Sequence, residues 1–235
     1  MKKRNTIGNL QGTSLKFKQV PDRYISAPRE KDYFGTVYKA LQKNHIKKVL
    51  DIGTASGDFL YYMPEDIYGF GVDISKELID VAQETRNKPN LSFECVDILT
   101  QPIEGHFDAI TILGTLLTLL DFREVLDICF SLKPRIIIVN DYFNLDGIDI
   151  RLGYRSAENL STNFNFGYNV ISKASMEAFL NSRGKTYLFE KYDMTTTLKK
   201  STSPMYNYHI NVDGERVLTN GSGLILRGFN LYINC

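Results

Sequence analysis

The sequence has few cysteines, and their positions give no sign of a disulfide framework or a metal site. Cys95, Cys129 and Cys235 form no close pair and show none of the spacings at which cysteines bind metal ions. Cys95 falls in an apolar strand pattern and Cys129 in an apolar helix pattern, so we expect both to pack in the core. No cluster of histidine and aspartate indicates a metal site either.

An excess of charge of one sign is also lacking, as is a long hydrophobic run. The 28 Lys and Arg residues nearly balance the 27 Asp and Glu residues, for a net charge of +1. Such a chain has no broad field to attract nucleic acid or an anionic membrane. The longest apolar stretch, 109–120, is too short and too interrupted to span a bilayer, and no apolar signal region follows the basic start. We therefore expect a cytoplasmic protein without a nucleic-acid partner or membrane insertion.

What the sequence does contain is an alternation of apolar runs and amphipathic segments. Its 235 residues suffice for one α/β domain with a full core but not for two ordinary domains. The alternation predicts right-handed βαβ crossovers and a Rossmann-like, doubly wound, mostly parallel sheet. Strands are expected at 48–52, 69–73, 91–96, 107–112 and 135–140. Helices are expected at 32–44, 57–62, 76–85 and 122–132.

The pattern changes after residue 140. The segment 151–170 is rich in Asn, Gly, Ser and aromatic residues without a clear period, which predicts a long loop or insertion. Ser172 is an expected N-cap for a helix that ends at Gly184, and a strand is expected at 186–192. Residues 205–219 read as a β-hairpin with a type I′ turn at Asp213-Gly214, followed by a final strand at 224–233.

The most informative local pattern is an apolar strand that ends in a glycine turn at the start of a helix. The run Val49–Gly57 contains Gly53, which permits a tight turn, and Gly57, which lets the helix begin close to the sheet. Asp73 ends the next strand about 20 residues later, the spacing at which a carboxylate meets ribose hydroxyls in such folds. The alternative is that Asp73 only caps the helix that follows it.

Asp51 distinguishes this turn from a dinucleotide-binding loop. A dinucleotide fold places a glycine there so that backbone amides can approach a pyrophosphate, which a carboxylate would repel. A carboxylate instead suits a ligand that carries an ammonium group. The pattern Asp51-x-Gly53-x-x-x-Gly57 resembles motif I of class I S-adenosylmethionine (SAM) methyltransferases, with Ala55 where many members have a middle glycine.

Two later segments resemble the same family. Residues 93–98 resemble its third strand, with an acidic residue for the adenine amine and a neighbour that packs on the ring. Residues 107–115 resemble its fourth strand and the loop beneath the SAM methyl group. The resemblance implies SAM as cofactor, S-adenosylhomocysteine (SAH) as product, and a seven-stranded sheet with an antiparallel last strand. It implies cofactor contacts from Tyr24, Asp51, Gly53, Thr54, Ala55, Gly57, Asp73, Ile74, Asp97, Ile98, Leu113 and Gly114.

The resemblance also divides the chain. Residues 1–31 would be an N-terminal segment whose Tyr24 closes over SAM as a lid, and 32–235 would be a single methyltransferase domain. The 151–170 insertion and the 205–219 hairpin would lie on the acceptor side, since reaction sites in open α/β sheets lie beyond the carboxyl ends of the strands.

Candidate catalytic residues come from these acceptor-side positions. Asp141 follows the fifth strand and could act as a general base, or could cap the next turn. His209, in the hairpin, is a second candidate base, although an isolated histidine there is more often a packing residue. Tyr142 is a third candidate and would more readily orient the acceptor than deprotonate it, since an unperturbed phenol titrates near pH 10.

Other residues of the 151–170 segment could contact the acceptor. The aromatic residues Phe164, Phe166 and Tyr168 could line a pocket or anchor the insertion on the core. Arg155 could pair with an anionic acceptor or be solvated.

The sequence limits the identity of the methyl acceptor mainly by excluding classes of methyltransferase. The sequence Leu113-Gly114-Thr115-Leu116 stands where amino-methylating DNA enzymes carry Asn/Asp-Pro-Pro-Tyr/Phe. In its overall size and its aromatic-rich carboxyl-terminal strand, the chain resembles small bacterial methyltransferases of surface-polysaccharide and antibiotic gene clusters. The resemblance implies metal-independent transfer to oxygen or nitrogen of a small polar acceptor, favouring a sugar, a nucleotide-linked sugar or a glycan substituent. An aminopropyl transferase and a non-catalytic SAM-binding or interaction protein remain alternatives.

Overall fold

The protein contains six α-helices and eleven β-strands within the part of the chain that its structure describes. That part of the computed structural model comprises residues 22–119, 121–154, 166–200, 207–221 and 223–235. The helices are α1 (Asp22–Ile25), α2 (Phe34–Lys43), α3 (Asp58–Tyr62), α4 (Lys76–Thr85), α5 (Phe122–Ser131) and α6 (Lys173–Ser182), with a 3₁₀ turn at Leu116–Thr118. The strands are β1 (Lys48–Ile52), β2 (Tyr68–Asp73), β3 (Leu91–Cys95), β4 (Ala109–Leu113), β5 (Ile136–Asn144), β6 (Ile150–Tyr154), β7 (Phe166–Ser172), β8 (Thr186–Tyr192), β9 (Tyr208–Val212), β10 (Glu215–Thr219) and β11 (Arg227–Asn234).

The central sheet has the predicted doubly wound topology. Its seven main strands lie in the order β3-β2-β1-β4-β5-β11-β8. The first five are mutually parallel, whereas β11 pairs antiparallel with both of its neighbours. The mostly parallel seven-stranded sheet with an antiparallel last strand is therefore confirmed.

Apolar side chains on both faces of this sheet form the core, because helices cover each face. On one face Leu50, Ile110 and Val139 pack in a cluster with residues of α5 and α6. On the other, Val49 and Ile138 pack with residues of α2, α3 and α4. The helix expected at 32–44 is present as α2, whose Phe34, Val37 and Leu41 are buried against the sheet. Of the described helices, none is both long enough and apolar enough to cross a membrane.

Two predictions for the region after β4 are wrong. Strand β5 continues to Asn144 rather than ending at Asn140, because Asp141, Tyr142 and Phe143 pair with β11. The supposed loop at 151–170 contains most of an antiparallel pair, β6 with β7, whose Ile150 faces Val170 in register. Ile150 and Leu152 pack against buried Val170 and Leu226, which gives these short strands an apolar anchor despite their polar composition.

Not all of the aromatic and charged residues considered from the sequence belong to the part of the chain that the structure describes. Arg155 and Phe164 fall outside the described residues, as does Tyr206 at the start of the predicted hairpin. Phe166 and Tyr168 lie in strand β7.

The predicted hairpin is present as the pair β9–β10, with Asp213 and Gly214 between the strands. Both turn residues have positive φ, 52° and 86°, as a type I′ turn requires. Backbone pairing of Leu226 with Leu218 attaches the hairpin near β11.

The cysteines are divided between core and surface. Cys129 is buried as predicted, but Cys95 is exposed. The prediction for Cys95 is wrong because it ends the edge strand β3, where few atoms cover it.

Candidate active site

The loop after β1 is fixed by two glycines with left-handed backbone. Gly53 has φ 73°, and a Cβ there would lie 2.2 Å from the Thr115 hydroxyl oxygen. Gly57 has φ 78°, and a Cβ there would lie 2.6 Å from the Phe93 ring. Both positions therefore require glycine. Ala55 also has a positive φ of 50°, so a backbone form that favours glycine is present at the position where the sequence departs from the family pattern.

Asp51 is buried at the end of β1 with its carboxylate held in place. The Thr111 hydroxyl of β4 donates a 2.6 Å hydrogen bond to its Oδ1. Burial raises the pKa of Asp51 to about 6, although the hydroxyls of Thr111 and Thr54 and the charge of Lys31 oppose the rise. A buried carboxylate of this kind is stabilised in its charged form by a cationic partner.

Asp73 occupies the end of β2 and connects the glycine loop with the next turn. Its Oδ2 accepts a hydrogen bond from the Ala55 amide and its Oδ1 one from the Ser75 amide, both of 2.9 Å. Burial raises its pKa, against the effect of these amides. The side chain that caps α4 is Ser75, which accepts from the Leu78 amide. Each carboxylate oxygen of Asp73 retains a further acceptor site, since a carboxylate has about four.

A cleft of about 160 Å³ opens beside these strand ends. Of the residues named from the sequence, seven line it: Tyr24, Asp51, Gly53, Thr54, Ala55, Leu113 and Gly114. The other cofactor candidates, Gly57, Asp73, Ile74, Asp97 and Ile98, are not among its lining. Sequence reasoning missed the rest of the lining: Arg29, Lys31, Tyr33, Phe34, Ser56, Asp58, Phe59 and Thr115.

Two of the missed residues are cations that enter the cleft from the segment before α2. The Lys31 ammonium donates a 3.1 Å hydrogen bond to the Tyr33 hydroxyl. Although Lys31 is exposed as a residue, its ammonium lies among the cleft groups, and desolvation lowers its pKa. Arg29 lies 3.8 Å from Asp58 and packs over the Tyr24 ring. The run 29–32 alternates basic and acidic residues, so nothing in the local sequence singles out these two cations.

A buried arginine holds this segment against the domain. Arg86, which is 1% exposed, pairs with Asp58 at 2.9 Å. The same guanidinium donates to the backbone carbonyls of Ser26, at 3.0 Å, and Tyr24, at 3.5 Å. The segment that supplies Tyr24, Arg29 and Lys31 is thereby tied to α3 and α4.

Asp97 and Ile98 lie just after β3, next to the end of β2, where the Val96 amide donates to the Asp73 carbonyl. Asp97 accepts from the Leu99 amide at 3.0 Å, and Ile98 packs partly buried against the core. Ile74 is 45% exposed at the same edge of the sheet. These three residues and Asp73 therefore lie together at the carboxyl ends of β2 and β3. Asp73 connects them with the cleft through its hydrogen bond from the Ala55 amide.

Asp141 is buried within β5 and not beyond it. Its carboxylate accepts the Tyr142 amide at 2.8 Å and the Leu117 amide at 3.2 Å, which holds the 3₁₀ turn after β4. Burial raises the pKa of Asp141 to about 7, against these amides. Its charge contributes to the raised pKa of the cleft residue Tyr33. Asp141 therefore caps the turn at Leu117, which precedes β5 in the chain, and not the turn after it, where Asn144 accepts the Asp146 amide.

The other two catalytic candidates have defined partners. The Nδ1 atom of His209 accepts the Leu198 amide at 2.9 Å, and desolvation lowers the pKa of the imidazole. The Tyr142 hydroxyl accepts a 3.2 Å hydrogen bond from Asn207, and burial raises its pKa to about 12. Within the described residues, no three His, Cys, Asp or Glu side chains are grouped so that they could hold a metal ion.

Comparison with known proteins adds independent information. A family model described as a methyltransferase domain matches residues 43–201. A search of curated protein sequences finds no match.

Many solved structures share the fold, at low sequence identity. A SAM-dependent methyltransferase from Methanosarcina mazei is 15% identical, with a TM-score of 0.58 over 85% of this chain and 96% of that one. Magnesium protoporphyrin IX methyltransferase from Synechocystis PCC 6803, with bound SAH, is 13% identical, with a TM-score of 0.58 over 91% of each chain. The N-terminal domain of EvdMO1, in the presence of SAH and D-fucose, is 14% identical, with a TM-score of 0.56 over 88% of this chain and 84% of that one.

Proposed function

We propose a specific activity on the premise that this chain belongs to the methyltransferase-domain family, as a SAM-dependent class I methyltransferase. SAM is its cofactor and supplies an already activated methyl group. The proposed reaction moves that methyl group to an oxygen or nitrogen of a small polar acceptor, without a metal ion. We favour a sugar, a nucleotide-linked sugar or a glycan substituent as acceptor, and a cytoplasmic location for the protein.

The observation that carries the cofactor assignment is the charge pattern of the cleft. Buried Asp51 and the cations Arg29 and Lys31 line the same cleft. An amino acid end of a ligand carries one ammonium and one carboxylate, so both of its charges would meet a partner of opposite sign. We assign Asp51 to the ammonium, and Arg29 with Lys31 to the carboxylate.

The nucleoside end would lie along the neighbouring strand ends. The free acceptor sites of Asp73 would receive the ribose hydroxyls, while Asp97 and Ile98 would contact the adenine. Cβ atoms at Gly53 and Gly57 would collide with Thr115 and Phe93, so these glycines let the loop pack closely on the turn after β4 and on β3. Gly114 has open space beside it and would leave room beneath the methyl group.

On the acceptor side we propose Asp141 as the general base and Tyr142 as an orienting group. A carboxylate with a pKa of about 7 is well matched to proton transfer near neutral pH. His209 is less suited, because the nitrogen that would accept the proton already accepts the Leu198 amide. The descriptions of structural relatives differ on this point, since one names a porphyrin methyltransferase and another the presence of D-fucose, and both are less than 20% identical to this chain.

The cofactor assignment is tested by calorimetry with SAH, SAM and NAD. We expect SAH and SAM to bind and NAD not to bind; tight NAD binding without a response to SAM would overturn the assignment. Incubation with methyl-labelled SAM and a metabolite extract then tests the reaction. A labelled, methylated product supports the proposal, whereas label in 5′-methylthioadenosine, the co-product of transfer of the propyl arm, or label that stays in SAM supports the alternative functions.

The base is tested by separate Asp141→Asn and His209→Ala variants, once a methylated product is identified. Asp141→Asn should lower kcat by roughly 10²–10⁴-fold and leave SAH affinity nearly intact. His209→Ala should keep kcat within a small factor of the wild-type value. Full turnover by both variants would mean that positioning alone carries the reaction.

A further inference from the structure

Two tyrosines flank a glycine where β5, β11 and β8 lie side by side. Gly228 of β11 is in register with Tyr142 of β5 and with Tyr192 of β8. Residues in register on adjacent strands project from the same face of a sheet. A Cβ at Gly228 would lie 3.1 Å from the Tyr192 ring and 2.9 Å from the Tyr192 carbonyl oxygen. The missing side chain therefore allows the Tyr192 ring to lie across β11 towards Tyr142.

Two residues away along β5 and β11, the same face carries a pair of amides. The Asn140 side chain donates a 2.8 Å hydrogen bond to the Asn230 side chain, and both residues are buried. The Asn140 carbonyl also accepts the Gly114 amide at 2.7 Å. The amide pair is thus attached to the loop that lines the cofactor cleft.

Tyr33 connects this face with the cleft. It lines the cleft, and its ring packs edge-to-face on Tyr192 with centroids 5.9 Å apart. The Tyr192 hydroxyl is buried and has no hydrogen-bond partner among the described residues. The phenols of Tyr142 and Tyr33 are close enough to contribute to the raised pKa of Tyr192. A buried hydroxyl without a partner costs free energy, unless a ligand or water completes its bonding.

We infer that Tyr33, Tyr142, Tyr192, Asn140 and Asn230 form the acceptor subsite, and that it takes a neutral, hydroxyl-rich ring such as a sugar. The inference rests on the proposed methyltransferase function and adds the residues and the ligand class. All five side chains are uncharged, and together they offer both donors and acceptors to hydroxyl groups. Two charged groups lie beside these five: Asp141, which is the proposed base, and the Lys31 ammonium, which donates to the Tyr33 hydroxyl and is assigned to the carboxylate of SAM. Because both have other roles in this proposal, a formal charge on the acceptor would lack a partner, which is costly in a buried site.

The test uses the full-length protein saturated with SAH. The probes are methyl glucoside, methyl galactoside, methyl mannoside and methyl rhamnoside, with spermidine and catechol for comparison, and binding is followed by saturation-transfer NMR and titration. We expect at least one glycoside to bind more strongly than either comparison compound. Tyr192→Phe should weaken that binding about threefold to tenfold, the loss of one hydrogen bond. Tyr187→Phe is the matched control, since it removes a phenol from the same strand on the face that packs in the other core cluster.

The melting temperature of the Tyr192→Phe variant distinguishes a binding role of the Tyr192 hydroxyl from a structural role. Because its hydroxyl has no described partner, Tyr192→Phe should unfold at the same temperature as the wild type or higher. A lower melting temperature with unchanged glycoside binding would overturn the inference. So would intact SAH binding without binding of any glycoside, or a preference for spermidine or catechol; these results leave the methyltransferase proposal standing. Failure to bind SAH would overturn both.

Discussion

The affinity for SAH should fall as the solution is acidified through pH 6, because Asp51 must be ionised to bind an ammonium group. Burial gives the free protein a pKa of about 6 at this carboxyl. A bound ammonium stabilises the ionised form, so binding and protonation of Asp51 compete.

The size of the effect follows from the ionised fraction. One pH unit below the pKa about a tenth of the free protein is ionised, so the apparent Kd should rise about tenfold, or about 1.4 kcal/mol. Above about pH 7 the affinity should change little from this cause. Asp51→Asn removes the charge at every pH and should give weak binding with a flat profile.

The stability of the free protein should change in the opposite direction. The pKa of Asp51 in the folded state lies above its ordinary value of 3.8, so the folded state holds more protons between these two values. Stability therefore falls as the pH rises through this window. Asp141 acts in the same sense up to its own pKa of about 7.

The assay is calorimetric titration with SAH from about pH 8 to about pH 5, with thermal unfolding of the free protein in the same buffers. Asp141→Asn is the control, since it removes another buried carboxylate with a raised pKa, and Asp141 does not line the cleft. It should keep the pH dependence of affinity that Asp51→Asn abolishes. A wild-type affinity that stays constant down to about pH 5 would refute the assignment of Asp51 to the ammonium.

Further variants test the remaining contacts. Asp73→Ala should weaken SAH binding by about 1–3 kcal/mol in calorimetry, since it leaves buried partners unsatisfied; unchanged affinity would mean that Asp73 serves only the turn and the loop. Arg86→Met should lower the free energy of unfolding in urea by about 3–5 kcal/mol, because it leaves the buried Asp58 carboxylate with only the more distant, half-exposed Arg29 as a cationic partner. Asp58→Asn in the Arg86→Met background should recover part of that loss, and additive losses would contradict the pairing. Ala55→Gly should stabilise the protein by up to about 1 kcal/mol in the same assay, by relieving the positive φ; a clear loss of stability would show that the alanine methyl has a packing role.

The parts of the fold that could be predicted from sequence are those in which local pattern and burial agree. The bounds of β1, α4 and β8 match the prediction residue for residue, because apolar runs and a serine cap mark their ends. The prediction ended β5 at Asn140 because Asn140 and Asp141 interrupt its apolar run, whereas pairing with β11 and β7 continues the strand to Asn144. The β6–β7 pair lacks alternation in sequence and depends on a small apolar cluster that forms in three dimensions.

The candidate site shows the same division. Asp51, Gly53 and Gly114 could be placed from the motif, since each lies at a strand end that the motif itself defines. Arg29 and Lys31 could not, because the segment before α2 is held by Arg86, about 60 residues away in sequence, through backbone carbonyls that any residue provides. Such a contact has no local sequence signal.

The position of β11 has a consequence for how the chain folds. This strand lies in the interior of the sheet, between β5 and β8, although about 90 residues separate its Asn230 from Asn140, to which it is hydrogen-bonded. Until β11 arrives, β5 and β8 both present unpaired edges, and an exposed edge can pair with another chain. Closing so long a loop delays the pairing, as is general for contacts distant in sequence. Pairing of β11 with β5 also completes the proposed acceptor subsite, so a species in which β11 is unpaired would be both aggregation-prone and unable to bind an acceptor.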